Sequence, residues 1–214
     1  MVSLTPEGVV LGSHVVAGFA ALGAGAGAFL TEKGGRRHRR FGRAFVYAMA
    51  VVAVTSLALY ALDRTTFRLF LAMIAVFSFY FVFSGYRVLA RKRPADSPGR
   101  VDWLAVGLVG VAGLGLLGLG GWFLLEGVGF GTVMLVFGGI ATAMGVADAR
   151  SFRAGTEAGE WVVDHLTRMG AAYIAAVSAF SAVNVTVLPT VLRWLWPTLV
   201  GTPVLVYLAR QYGS

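Results

Sequence analysis

The sequence predicts an all-α membrane protein, a polytopic bundle of seven transmembrane helices that forms a single transmembrane domain over 1–214. Of its 214 residues, 57% are hydrophobic and only 13% are charged, which is about half the charged share of a typical soluble domain. The mean hydropathy is +0.77. The charged residues lie in short segments between long apolar runs, and this pattern is typical of helices that cross a bilayer.

Seven apolar runs are long enough to cross the hydrocarbon core, which takes about 20 residues of helix. They cover 9–31, 43–62, 67–88, 101–125, 130–149, 161–185 and 192–209. The last run contains Pro197 and Pro203, so we expect a kinked helix there. Many of the 29 glycines fall in the first and fourth runs. They predict close contact between helix backbones, because small residues allow helices to approach in lipid.

The distribution of lysine and arginine predicts the orientation of these helices. With the N-terminus outside, 15 of the 18 basic residues fall on the cytoplasmic side, and only Arg64, Arg68 and Arg193 fall outside. Cytoplasmic segments of membrane proteins carry such an excess. We therefore expect a multi-pass protein of the cell membrane with a cytoplasmic C-terminus. Topology and contact with anionic lipid then account for the net charge of +8, and nucleic-acid binding is not expected.

Several kinds of chemistry are excluded or disfavoured by residues that the sequence lacks. There is no cysteine, which excludes disulfides, thiolate metal sites and iron–sulfur clusters. The predicted spans hold no lysine that would form a retinal Schiff base. They also hold no acidic residue at mid-membrane, which argues against a typical proton-coupled carrier.

The three histidines are the first candidates for a functional site. His14 lies in the first span near the outer surface, His38 lies in the first cytoplasmic loop, and His165 begins the sixth span. Asp148, at the end of the fifth span, and Asp164, next to His165, lie on the same predicted side as His38. Histidine together with carboxylates is a ligand set that suits a divalent metal. We therefore predict a polar site on the cytoplasmic side.

Two other interpretations of these residues stay open. The arginines around His38 disfavour a cation and would instead form ion pairs that tie the loops together, with Asp148, Glu157, Glu160 and Asp164 as partners. Haem b would need two axial ligands from facing helices, either His38 with His165 or His14 with Met73. For His14 alone, the plainer interpretation is a hydrogen bond to a neighbouring helix, with Asn184 as its partner.

Three short motifs carry a resemblance to a known family. They are H-x-x-x-G at His14–Gly18, H-R-x-x-G-R at His38–Arg43 and H-x-x-x-M at His165–Met169. In these elements the chain resembles an uncharacterised prokaryotic membrane-protein family, the domain of unknown function 2306. The resemblance covers the first, second and sixth spans and implies no activity. It implies that the positions to test are His14, His38, Gly42, Arg43 and His165.

The predicted function is therefore a membrane protein whose cytoplasmic-side site binds a metal, haem or an anionic ligand. Arg39 and Arg43 are four residues apart and would share one helix face, directed at lipid phosphate or at the acidic group of the sixth span. One alternative is a non-catalytic accessory subunit of a larger membrane complex, held by its small-residue helix faces to other subunits or to copies of itself. Another alternative is a small-solute transporter.

Overall fold

The computed structural model describes residues 5–93, 95–155 and 161–212. They form seven long helices: α1 (Pro6–Leu30), α2 (Arg36–Leu62), α3 (Thr66–Arg87), α4 (Arg100–Leu125), α5 (Gly131–Ala154), α6 (Trp161–Asn184) and α7 (Thr190–Tyr212). A single 3-10 turn, Val88–Ala90, extends α3. All seven helices are long and apolar enough to cross a membrane. This confirms the all-α class and the seven candidate spans, whereas the orientation and the cell membrane stay predictions.

Several helices extend beyond the predicted spans at their polar ends, and α2 and α5 do so by the most residues. Helix α2 begins at Arg36 instead of residue 43, and α5 continues to Ala154 instead of residue 149. Hydropathy marks only the apolar part of a helix, whereas arginine is a good helix former and continues the helix past that part. The placement of His38 in a loop is therefore wrong, because His38 lies in the first turn of α2. Asp148 lies six residues before the end of α5 and not at its end.

The chain divides into two compact units, Met1–Ala75 and Val76–Ser214, with the boundary inside α3. Unit 1 contains α1, α2 and the beginning of α3. Unit 2 contains the remainder of α3 and helices α4 to α7. The prediction of a single transmembrane domain stays a prediction.

In unit 1, the two ends of α1 are fixed in different ways. The Thr5 side chain accepts a hydrogen bond from the Gly8 amide at 3.1 Å, so it satisfies one of the free N–H groups at the start of the helix. Glu7 in the first turn is bound by Arg68 at the start of α3. At the other end of α1, a Cβ on Gly27 would lie 2.7 Å from the Phe41 ring of α2. A larger residue here would require the Phe41 ring to move.

In unit 2, α4 and α5 touch through their backbones. A Cβ on Gly138 of α5 would lie 2.8 Å from the Leu117 amide nitrogen, and one on Gly113 of α4 would lie 2.9 Å from the Thr142 amide nitrogen. The predicted role of glycine in close packing is confirmed at these positions. It does not extend to Gly107, where an added Cβ would meet no atom within 4 Å.

Helices α6 and α7 pack against each other by side chains as well as by glycine. The Trp196 indole N–H donates to the Ser181 hydroxyl at 2.6 Å, and Ser181 is buried. Gly201 of α7 faces Ile174 of α6, where a Cβ would lie 2.7 Å from the isoleucine side chain. Helix α7 includes both Pro197 and Pro203 within its length.

Candidate functional site

A buried polar cluster joins α3, α5 and α6 in unit 2. The two terminal guanidinium nitrogens of Arg168 donate to the two carboxylate oxygens of Asp148, at 2.6 and 2.5 Å. The Tyr80 hydroxyl also donates to Asp148. Asp148 is 2% exposed and Arg168 is 8% exposed. A bidentate, charge-assisted pair of this kind fixes the geometry of both side chains.

The three residues of this cluster lie at one depth. Tyr80 is seven residues before the end of α3, Asp148 is six before the end of α5, and Arg168 is seven after the start of α6. At 1.5 Å per residue, each lies about 10 Å from its helix end. The cluster is thus inside the candidate membrane spans, on the side where α3 and α5 end and α4 and α6 begin. We call this side the basic end of unit 2, since most of that unit's arginines and its lysine lie there.

Helices α3 and α6 approach closely beside this cluster. A Cβ on Gly85 would lie 3.0 Å from the Arg168 Cβ and 3.1 Å from the Met169 sulfur. His165 Nδ1 lies 2.8 Å from the Gly85 carbonyl oxygen. Because a carbonyl only accepts, Nδ1 carries the proton, and in a neutral ring Nε2 is then the acceptor. Gly85 thus allows α3 and α6 to approach at the level of Arg168, and His165 links the two helices by a hydrogen bond.

A second ion-pair network ties the end of α3 to the start of α4. Asp102 is 3% exposed and accepts two hydrogen bonds from Arg87, at 3.1 and 2.9 Å. Its carboxylate also lies 2.9 Å from a guanidinium nitrogen of Arg91 and accepts the Gly99 amide at 2.8 Å. Two guanidinium groups share one carboxylate, so this network carries an excess positive charge at the basic end of unit 2.

Two polar groups on consecutive turns of α6 lack partners among the described residues. Asp164 is half-buried, and its carboxylate makes no hydrogen bond or ion pair with them, although the charges of Arg168, Asp148 and Arg91 act on it. One turn further on, the buried Nε of Arg168 has no acceptor in the described part of the chain. Leaving a buried donor unsatisfied costs about 1–3 kcal/mol. A molecule with an oxygen acceptor would remove that cost.

The predicted site residues of unit 1 make local contacts. His14 Nδ1 lies 2.9 Å from the Thr55 hydroxyl, and Thr55 itself donates to the Val51 carbonyl at 2.6 Å. The hydroxyl therefore accepts from His14, which confirms a hydrogen bond to a neighbouring helix. That partner is Thr55 of α2, in the same unit; the predicted pairing with Asn184, which belongs to unit 2, stays a prediction. Asn184 donates to the Phe180 carbonyl of its own helix at 2.8 Å.

His38 and the two arginines near it also contact main-chain groups. His38 Nδ1 lies 3.0 Å from the Ala28 carbonyl oxygen, so this nitrogen also carries a proton. Arg39 donates to the Gly34 carbonyl at 2.5 Å, and Arg43 donates to the Arg39 carbonyl at 3.4 Å. Both arginines are exposed. Their contact with lipid phosphate or with the sixth span stays a prediction.

The structure brings together one part of the predicted site. Asp148, Asp164 and His165 all lie in unit 2, around Arg168 and Tyr80, whereas His38 and His14 belong to unit 1. The two predicted haem pairs stay predictions. Within the described ranges, no group of three or more His, Asp or Glu side chains is arranged to hold a metal ion. Glu157 and Glu160, expected to pair with arginines, lie outside those ranges.

No sequence motif marks Arg168, Tyr80 or Asp102 as site residues. One signal was available for Arg168: a charged residue four positions after Asp164 shares a helix face with it. No comparable signal marks Tyr80, which lies in a run of aromatic residues. Its contact with Asp148 joins residues 68 positions apart.

No protein-family model, curated protein or solved structure matches this chain. The resemblance to the family with the domain of unknown function 2306 therefore stays a prediction that rests on the three motifs. The evidence for a function therefore comes from the side chains of unit 2, around Asp148, Asp164 and Arg168.

Proposed function

We propose that the protein binds a small polar anion between Arg168 and Asp164 and carries it across the cell membrane. The observation that supports this proposal is the pair of unsatisfied groups on consecutive turns of α6. The anionic group would accept the Nε–H of Arg168. A hydroxyl or ammonium group of the same molecule would donate to Asp164. The ligand class is thus a small acid that also bears a hydrogen-bond donor.

The charges around the cluster favour an anion over a metal ion. Both oxygens of Asp148 accept hydrogen bonds from the guanidinium of Arg168, which occupies the place that a cation would take. Arg87 and Arg91 add a net positive charge near the end of α3, because Asp102 balances only one of them. Haem would need two axial ligands, and no described contact within unit 2 supplies a second histidine for His165.

Transport is the activity that a site at this depth would serve. Ionisable residues inside membrane spans usually face the bundle interior and mark pathways of substrates or ions. The cluster lies about 10 Å inside the helix ends, and we place the basic end of unit 2 in the cytoplasm. The ligand would then enter or leave from that side. The accessory-subunit alternative stays a prediction.

A binding experiment tests the site. Purified protein in mild detergent is titrated calorimetrically with inorganic phosphate, acetate, lactate and glycine, of which only acetate carries no hydrogen-bond donor at neutral pH. We expect lactate or glycine to bind more tightly than acetate, and Asp164→Ala to weaken that binding at least tenfold. Asp164→Ala removes no described hydrogen bond, so the variant should fold. Asp63→Ala, an exposed carboxylate in unit 1, is the matched control.

Three results would contradict this proposal. If no acid in the set binds, or if Asp164→Ala and Arg168→Lys bind as the native protein does, the site is not between these residues. Uptake of the radiolabelled acid into proteoliposomes then tests the carrier. If the acid binds but is not taken up, the protein is a binding protein and the proposed transport is refuted.

A further inference from the structure

We infer that the α4–α5 pair binds an anionic phospholipid, whose phosphate is held at the basic end of unit 2 by Arg100, Trp103 and Arg153. Arg100 is the first residue of α4, Trp103 follows one turn later, and Arg153 lies in the last turn of α5. The Arg153 guanidinium lies over the Trp103 ring, 5.7 Å from its centre. The two antiparallel helices thus present two cations and one indole at a single end.

These three side chains have unused binding capacity. Arg100 and Arg153 are exposed, and no described carboxylate lies within ion-pair distance of either. Trp103 is 37% exposed, and its indole N–H donates to none of the described residues. Guanidinium groups bind phosphate oxygens well, and tryptophan is enriched at the headgroup level of membranes. A phosphate would accept from all three.

The Trp103 ring is fixed in place by an aromatic contact beneath it. Trp103 meets Phe152 edge to face, with ring centres 5.4 Å apart. Arg91, held by Asp102 on one side, lies 4.8 Å from the centre of the Phe152 ring. The indole is therefore oriented before any ligand arrives, which reduces the entropy that binding must overcome.

An apolar face of α4 continues directly from this group and favours a lipid over free phosphate. Val101, Leu104, Leu108 and Val111 are each more than half exposed. Their spacing of three, four and three residues puts them on one helix face. An acyl chain attached to the bound phosphate would lie along this face. Free phosphate would gain nothing from it.

This inference is independent of the proposed anion site, because it uses neither Arg168 nor Asp164. The test is native mass spectrometry of the protein in mild detergent, titrated with phosphatidylglycerol or phosphatidylcholine of identical acyl chains. We expect phosphatidylglycerol to bind more tightly. Replacing Arg100 and Arg153 by glutamine should weaken the binding of phosphatidylglycerol about fivefold for each arginine. A fivefold change in affinity corresponds to about 1 kcal/mol, which is what one basic residue near an anionic membrane surface contributes. The matched control is Arg64→Gln, an exposed arginine in unit 1.

Three results would overturn the inference. The first is equal affinity for the two lipids, and the second is unchanged binding in the double variant. The third is displacement of phosphatidylglycerol by millimolar inorganic phosphate, which would make this a site for the free anion. If the double variant does not fold, the affinity of Arg100→Gln for phosphatidylglycerol tests the inference instead. This single variant should fold, because the Arg100 side chain contacts no described residue by hydrogen bond or ion pair.

Discussion

Asp148→Asn tests whether the Asp148–Arg168 pair holds unit 2 together. The substitution keeps the shape of the side chain but removes its charge and replaces one acceptor oxygen by an NH2 group. Two charge-assisted hydrogen bonds from Arg168 and one bond from Tyr80 converge on the native carboxylate. Removing one partner of a buried ion pair costs about 3–5 kcal/mol, because the other charge is left uncompensated. We expect a loss near 3 kcal/mol, since asparagine retains one acceptor.

The assay is reversible unfolding in mixed detergent micelles, run as a double-mutant cycle with Arg168→Gln. If the pair acts as a unit, the double variant loses less stability than the sum of the single variants, by about 2 kcal/mol. Asp63→Asn is the control. Its exposed carboxylate lies 3.4 Å from Arg68, and such a pair contributes about 0–1 kcal/mol. A loss below 1 kcal/mol for Asp148→Asn, or additive single losses, would refute this reasoning.

Three further predictions concern helix contacts. Gly85→Ala should destabilise the fold by about 1 kcal/mol in the same unfolding assay, because the new methyl group would lie 3.0 Å from the Arg168 Cβ, so that α3 or α6 must shift slightly to admit it. Gly138→Ala should also destabilise the fold, by about 1–3 kcal/mol, at the α4–α5 contact. Gly107→Ala places its methyl group in open space and should be neutral or stabilising by up to about 1 kcal/mol. Equal effects of all three substitutions would contradict the packing described for these helices. Thr55→Val should cost about 0.6 kcal/mol, typical of a hydrogen bond between membrane helices, and this cost should vanish in a His14→Ala background.

The fold could be predicted from the sequence because lipid imposes a simple requirement. A span must be apolar over about 20 residues and must satisfy its backbone internally, so hydropathy alone locates each helix. The ends were predicted less well. Arg36–Arg43 and Arg150–Ala154 are helical although polar, because the requirement for apolar side chains ends where the hydrocarbon ends.

The candidate site could be predicted only in part. Asp148, Asp164 and His165 were identified as polar residues near span ends, and all three lie close to Arg168. The pairing itself could not be derived, because it depends on which faces of α3, α5 and α6 meet. Hydropathy says little about helix rotation when apolar residues surround a helix on all sides. For this reason the sequence predicts a metal or a loop arginine as the partner of Asp148, whereas its partners are Arg168 and Tyr80.

The backbone contact between α4 and α5 bears on how this hairpin assembles. Glycine has no side-chain rotamers to lose, so two helices that meet through Gly113 and Gly138 associate with very little loss of conformational freedom. Within a bilayer, where water does not drive helices together, this low cost favours direct contact between the α4 and α5 backbones.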